Sequence, residues 1–198
     1  MDRFMALVSS WAAWVPFAIL AAVFLAVKGD FRMRAFLLVT GLVIGFNDGV
    51  LSRTLKRVVD RPRPHQSVND VRVVDLAKAT PRFLAVFKPA KVKMSRITLE
   101  EVDGRSFPSS HTMNLVSFAV SAICFFRSRA LWALIPAGLV AYSRIYTGSH
   151  WPSDVLVSTV LAIGTSLLLI AGLDLLWRLR AGVWFPRWHA QHPRLLPA

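Results

Sequence analysis

Five runs of apolar residues, at about 11–27, 35–51, 112–126, 130–147 and 155–177, leave this chain few ways to fold. In water, runs of that length expose more apolar surface than one small core can cover. A bilayer core about 30 Å thick, by contrast, is crossed by roughly 20 apolar residues in a helix. Within that layer each backbone N–H and C=O must be satisfied inside its own segment, and a helix does this. The expectation is an all-α integral membrane bundle of about five to six transmembrane helices, one domain over residues 1–198. Composition agrees, since 55% of the residues are hydrophobic, only 18% are charged and the mean hydropathy is +0.48. Trp11, Trp14, Trp132, Trp151 and Trp177 lie near the proposed span ends, where interfacial aromatics gather. The N-terminal stretch has one Arg offset by Asp2 and no small-x-small cleavage pattern before Lys28, so it reads as a retained span. Cys124 stands alone in an apolar run, which makes it a packing residue and excludes a disulfide framework.

The net charge of +13, from 24 Lys+Arg against 11 Asp+Glu, asks for anionic partners. Lipid headgroups and phosphates fit this demand. Nucleic acid does not, because the apolar helices leave no soluble surface for a groove reader and no zinc or RNA-binding signature is present.

The long polar interval 52–111 separates the second and third runs. It opens with "SRTLKRVVDRPRPH" and closes with "DGRSFPSSH". Its middle, about 65–107, mixes Lys and Arg with Phe, Leu and Val, which suits either a solvated loop or a flap lying on headgroups beside a site. With five spans this interval, the short link 148–154 and the N-terminus share one side. More Lys and Arg lie on that side than opposite, but several belong to the clusters described next and long loops carry little topological weight. Charge therefore leaves the orientation open.

Three clusters stand on the shared side: Lys56 with Arg63-Pro64; "PSSH", Pro108 to His111; and "SRIYTGSHWPSD", Ser143 to Asp154, with Arg144, His150 and Asp154. Charges beside a bilayer are costly and usually functional. A phosphate monoester carries about −1.5 to −2 charges near neutral pH, and Lys56, Arg63 and Arg144 would neutralise it, the arginines with forked donors that match phosphate oxygens. Ser109 sits where a helix begins, so its hydroxyl and the amide of Ser110 are candidate anion donors. His111 is placed to protonate a leaving oxygen. Pro152 marks the first turn of the fifth helix, and Asp154 in that turn can reach back to hold one nitrogen of His150, leaving the other free to attack. The three cations would repel a divalent metal, so the expectation is chemistry with no metal and no cofactor.

In order and spacing these residues resemble the type 2 phosphatidic acid phosphatase superfamily of integral-membrane lipid phosphatases, whose pattern is K-x6-R-P, then P-S-G-H, then S-R-x5-H-x3-D. The first and third motifs match in full, and the second matches except that Ser110 stands in the glycine's place. The resemblance covers about 35–177. It implies phosphate binding by Lys56, Arg63, Ser109, Ser110 and Arg144, a nucleophilic His150 oriented by Asp154, and His111 as general acid. It further implies a phosphorylated lipid substrate, such as phosphatidic acid, phosphatidylglycerol phosphate, a polyprenyl diphosphate or a lipid A phosphate. The expected location is a bacterial inner membrane, with the site on the extracytoplasmic face. Two other readings share these residues: a lipid phosphotransferase, and a transporter that binds a lipid or anion without cleaving it. Asn47-Asp48, inside the second run, reads as an interhelical hydrogen bond or as support for the site.

Overall fold

The computed structural model describes residues 1–79, 82–97 and 105–197. It is an α-helical bundle with one small hairpin. A short helix α1 (Asp2–Val8) leads into α2 (Trp11–Lys28), and α3 (Phe31–Val59) follows with a π-helical turn at Asn47–Ser52. The polar interval holds α4 (Pro64–Ser67) and the antiparallel strands β1 (Arg72–Asp75) and β2 (Lys91–Met94), paired Val74 to Val92. Next come α5 (Ser110–Phe126), a 3-10 segment Arg127–Ala133, α6 (Leu134–Tyr146), α7 (Pro152–Trp184) and α8 (Pro186–Gln191).

The stretches Phe31–Val59, Ser110–Tyr146 and Pro152–Trp184 are long and apolar enough to cross a membrane. The middle one is folded back on itself. Arg127 takes φ 55° after Phe126, and α5 packs along α6. Ser110 and Arg144 therefore return to the same pole of the bundle.

The packing is the inverse of a soluble helix. On α7 the inward positions fall every fourth residue, Asp154, Ser158, Ala162, Ser166, Ile170 and Asp174. Its outward face carries Leu156, Val160, Leu168, Leu179 and Val183. Small inward residues let the backbones approach closely where hydrocarbon solvates the outside. Ala119 and Ala122 on α5 do the same against Phe36, Val39 and Val43 of α3, and Cys124 packs at the edge of this cluster. Asn47 joins three helices, donating to Ser117 Oγ at 2.8 Å and to Ser166 Oγ at 3.4 Å. The interhelical hydrogen bond is thus present at Asn47, while Asp48 lies in the field of Lys56 and His111.

Two boundaries differ from the sequence reading. The polar interval begins at Asp60 rather than at 52, because α3 runs on through Lys56 and ends in a left-handed cap at Asp60 (φ 44°). The last long helix runs to Trp184 rather than 177, since Arg178 is tolerated by pairing with Asp174 one turn back, 3.1 Å away. Asp174 also accepts the amides of Leu195 (2.9 Å) and Leu196 (3.3 Å), folding the tail onto the pole opposite Ser110, where His192 stacks on Phe31.

The described parts of the interval lie on the Ser110 pole. An isolated bridge joins Pro62 to Arg105, so its two ends lie side by side. Val74 N donates to Thr147 O at 3.3 Å, seating the hairpin on the α6–α7 link, and the 3-10 turn Arg82–Phe87 packs on α2. Gly148 is required in that link: at φ +68°, an added Cβ would lie 2.7 Å from Arg72 O. Helix α1 lies on the same pole, where Asp2 accepts from Arg72 and from Tyr146 Oη (2.6 Å).

Candidate active site

All eight residues singled out in the sequence come to this pole. Lys56 is delivered by the end of α3, Arg63 by the turn before α4, and Ser109, Ser110 and His111 by the start of α5. Arg144 comes from the last turn of α6, His150 from the link, and Asp154 from the first turn of α7. His111 and His150 both lie in the field of Arg144, Lys56 and Arg63, so the two imidazoles share one cationic pocket.

The imidazole of His150 is 4% exposed, and its Nδ1 donates to the Ser106 carbonyl at 2.6 Å. A carbonyl only accepts, so Nδ1 carries the proton and Nε2 keeps its lone pair. Here the structure departs from the expected carboxylate–imidazole bond. Asp154 Oδ2 stands 4.0 Å from His150 Nδ1, and the carboxylate is instead filled by Ser106 Oγ, Trp151 N (3.0 Å) and Arg61 Nη1 (2.7 Å). The cause is the bridge at Pro62–Arg105, which brings Ser106 between the two side chains, with Ser106 N donating to Arg61 O at 2.7 Å. Asp154 thus holds Ser106 with one oxygen, and Ser106 holds His150.

Burial, followed by the nearby Arg144 and Arg63 cations, pushes the His150 pKa down to about 3, against a smaller opposing effect of the Ser106 hydrogen bond. Its ordinary value is 6.5, so between these limits the unfolded chain binds more protons than the native one. Stability therefore rises with pH through that window and is eroded as pH falls. The ¹⁵N shift of His150 Nε2 is expected to keep its neutral-imidazole value down to about pH 5, well below the ordinary midpoint. A midpoint at the ordinary value would show that this pocket is neither dry nor cationic.

Arg144 is 9% exposed, and its Nη1 donates to Ser9 Oγ and, at 3.4 Å, to Ser9 O, while its backbone carbonyl accepts from Ser149 N (3.1 Å) and His150 N (3.2 Å). The Nε groups of Arg63 and Arg144 are buried and meet no acceptor among the described residues. Buried donors are nearly always paired, so two orphaned guanidinium N–H groups beside two imidazoles mark a place for an anion with several oxygens. Lys56 Nζ donates to Ser110 Oγ at 2.9 Å. Ser109 is fully buried: its amide donates to Ser158 Oγ (2.8 Å) and its hydroxyl accepts from Thr112 Oγ1 (2.9 Å). It therefore braces the start of α5 and keeps its hydroxyl proton to give. The edge of Trp11 faces His111, with ring centroids 6.5 Å apart.

Sequence reasoning missed Ser106, Arg61 and Ser9. Arg61 pairs with Asp154, bonds Ser153 Oγ (2.9 Å) and stacks on Trp151. Trp151 is held by this stack and by its own bond to Pro62 O (3.0 Å). His65 is half-buried and donates from Nδ1 to Gly148 O at 3.1 Å. Among the described residues no three His, Cys, Asp or Glu side chains gather as a metal-holding group.

An undecaprenyl-diphosphatase of Bacillus subtilis (BcrC) is 44% identical over 73 residues, 36% of this chain and 37% of that protein. A lipid A 4'-phosphatase of Bacteroides thetaiotaomicron is 24% identical over 165 residues, 81% of this chain and 64% of the relative. An undecaprenyl-diphosphatase of Sulfolobus acidocaldarius is 29% identical over 159 residues, 79% and 62% of the two chains. The matched stretches thus span less than two thirds of the length of each relative. No solved structure gives a significant match. The sequence profile of the PAP2 superfamily matches residues 32–178, which takes in every residue of the pocket except Ser9 and Trp11, and the chain belongs to that superfamily.

Proposed function

We propose that the protein is a membrane lipid phosphatase that removes the terminal phosphate of a lipid monophosphate or diphosphate through a phosphohistidine, without a metal. The observation that carries this reading is the pair of buried guanidinium N–H groups on Arg63 and Arg144 that meet no acceptor among the described residues, in one pocket with His111 and His150. Phosphoryl transfer asks a protein mainly to position reactants and to stabilise charge over the equatorial oxygens. Lys56, Arg63 and Arg144, with the Ser109 hydroxyl and the Ser110 amide, meet that demand.

In the first step His150 Nε2 attacks phosphorus, the bond from phosphorus to the lipid oxygen breaks, and His111 gives that oxygen a proton. In the second step water attacks the phosphoimidazole. His111 takes the water's proton, inorganic phosphate leaves, and Nε2 regains its lone pair. Ser106 keeps the Nδ1 proton in place throughout.

A polyprenyl diphosphate is the first substrate to try, because two of the relatives above carry the name undecaprenyl-diphosphatase; a lipid A phosphate is the second. The extracytoplasmic face of a bacterial inner membrane belongs to the same reading. Purified protein given polyprenyl diphosphate in mixed micelles is expected to release inorganic phosphate with water as the only acceptor, at an unchanged rate in chelator. Binding without release would favour a transporter, release only with a second lipid or sugar would favour a transferase, and loss in chelator restored by Mg²⁺ would defeat the metal-free step.

A further inference from the structure

Ser110 stands where the family pattern has glycine, and its side chain is engaged. Its Oγ lies 2.9 Å from Lys56 Nζ and 2.7 Å from Ser52 Oγ. Ser52 and Lys56 are four residues apart on α3, Ser52 closing the π-helical turn Asn47–Ser52. Such a turn changes the register of a helix face and recurs at functional sites.

Counting protons fixes the direction of these bonds. An ammonium only donates, so Ser110 Oγ accepts from Lys56. Ser52 is 1% exposed, and its hydroxyl meets no described residue other than Ser110. Were Ser110 the donor to Ser52, the Ser52 proton would be stranded in a buried place, which is costly. Ser52 is therefore the donor. Ser110 Oγ then accepts twice, its lone pairs are filled, and its own proton remains to be given to a third group. The Lys56 ammonium beside this hydroxyl lies in the field of Asp48, Arg63 and Arg144, and the oxygen of an incoming anion suits the Ser110 proton.

We propose that the Ser110 hydroxyl donates directly to the substrate's phosphate, and that Ser52 is a positioning residue that aims it. The inference rests on the phosphatase reading above and deepens it. Glycine at this position would supply a backbone amide alone, so the departure from the family pattern adds a donor, one polarised by the Lys56 ammonium.

The test is a double-mutant cycle on the full-length protein in detergent, reading the inhibition constants of inorganic phosphate and orthovanadate together with KM and kcat for a lipid diphosphate. Ser110→Gly is expected to weaken both inhibitors about tenfold, the loss of one hydrogen bond to a charged acceptor. Ser52→Ala weakens them several-fold when Ser110 is present and adds nothing in the Ser110→Gly background, whereas Ser52→Thr, which keeps a hydroxyl, restores tight binding. Equal costs of Ser52→Ala in both backgrounds, or Ser110→Gly protein that binds orthovanadate as tightly as the parent, would overturn the proposal. Should Ser52→Ala fail to assemble, Ser110→Gly and Ser52→Thr decide it between them. Parent protein that neither binds these anions nor releases phosphate from lipid sinks the phosphatase reading itself, a failure visible before any variant is compared.

Discussion

His150→Ala is expected to abolish phosphate release, by roughly 10⁴-fold or more, because the variant has no atom at which the phosphoenzyme could form. On the proposed reading the remaining cations and the Ser110 amide should still bind phosphate, so product inhibition should survive. Helix packing should survive as well. His150 lies in the link between α6 and α7, outside the apolar cluster of α3, α5 and α7, and among the described residues its ring makes one hydrogen bond, to the Ser106 carbonyl. Thermal unfolding followed by circular dichroism separates the two effects. A chemical trap sharpens the test: protein quenched in mid-turnover with labelled lipid diphosphate should carry acid-labile, base-stable phosphate, absent from His150→Ala. If the variant kept even roughly a tenth of the parent rate, the attacking group would have to be sought elsewhere.

Much of this molecule was readable along the chain, for a physical reason. Apolar runs in a membrane protein must be helices, and the five runs do lie in helical segments. The motif residues were readable because side chains of unusual cost beside a bilayer announce themselves by type, and their order places them at the ends of successive helices on one pole. What escaped notice was made of commoner groups. The partner of His150 Nδ1 is a backbone carbonyl, from Ser106, 44 positions away, and carbonyls carry no sequence signature. Ser9 reaches Arg144 across 135 positions from a seven-residue helix too short for its periodicity to register. Arg61 was visible but ambiguous, since two Arg-Pro pairs follow Lys56 in close succession. The bridge at Pro62–Arg105 assigns Arg61 to Asp154 and leaves Arg63 Nε without an acceptor among the described residues. The hairpin β1–β2 was hidden because four-residue strands in a basic segment look like loop.

Asp154 carries the second large prediction, and its two variants should behave differently. Asp154→Ala removes a fully buried carboxylate that accepts from Arg61, the Ser106 hydroxyl and Trp151 N. Stranding the partners of a buried ion costs about 3–5 kcal/mol. The side chain of Arg61 is 38% exposed and can turn to water, so the lower end of that range applies. Losing the cap of α7 adds about 1 kcal/mol. Ser106 would then be free to drift, and turnover should fall by roughly 10³-fold as the imidazole loses its fixed pose. Asp154→Asn is the discriminating change. Where a carboxylate bonds the imidazole directly, the amide selects the wrong tautomer and costs about 10⁴-fold. Here the proton on Nδ1 is held by a carbonyl that Asn leaves unchanged, so the expected loss is only about 10- to 100-fold, the scale of a group acting through an intermediary. The ¹⁵N spectrum should still show the proton on Nδ1. A full 10⁴-fold loss with a changed tautomer would mean that the working enzyme closes the 4.0 Å gap and bonds Asp154 to His150 directly.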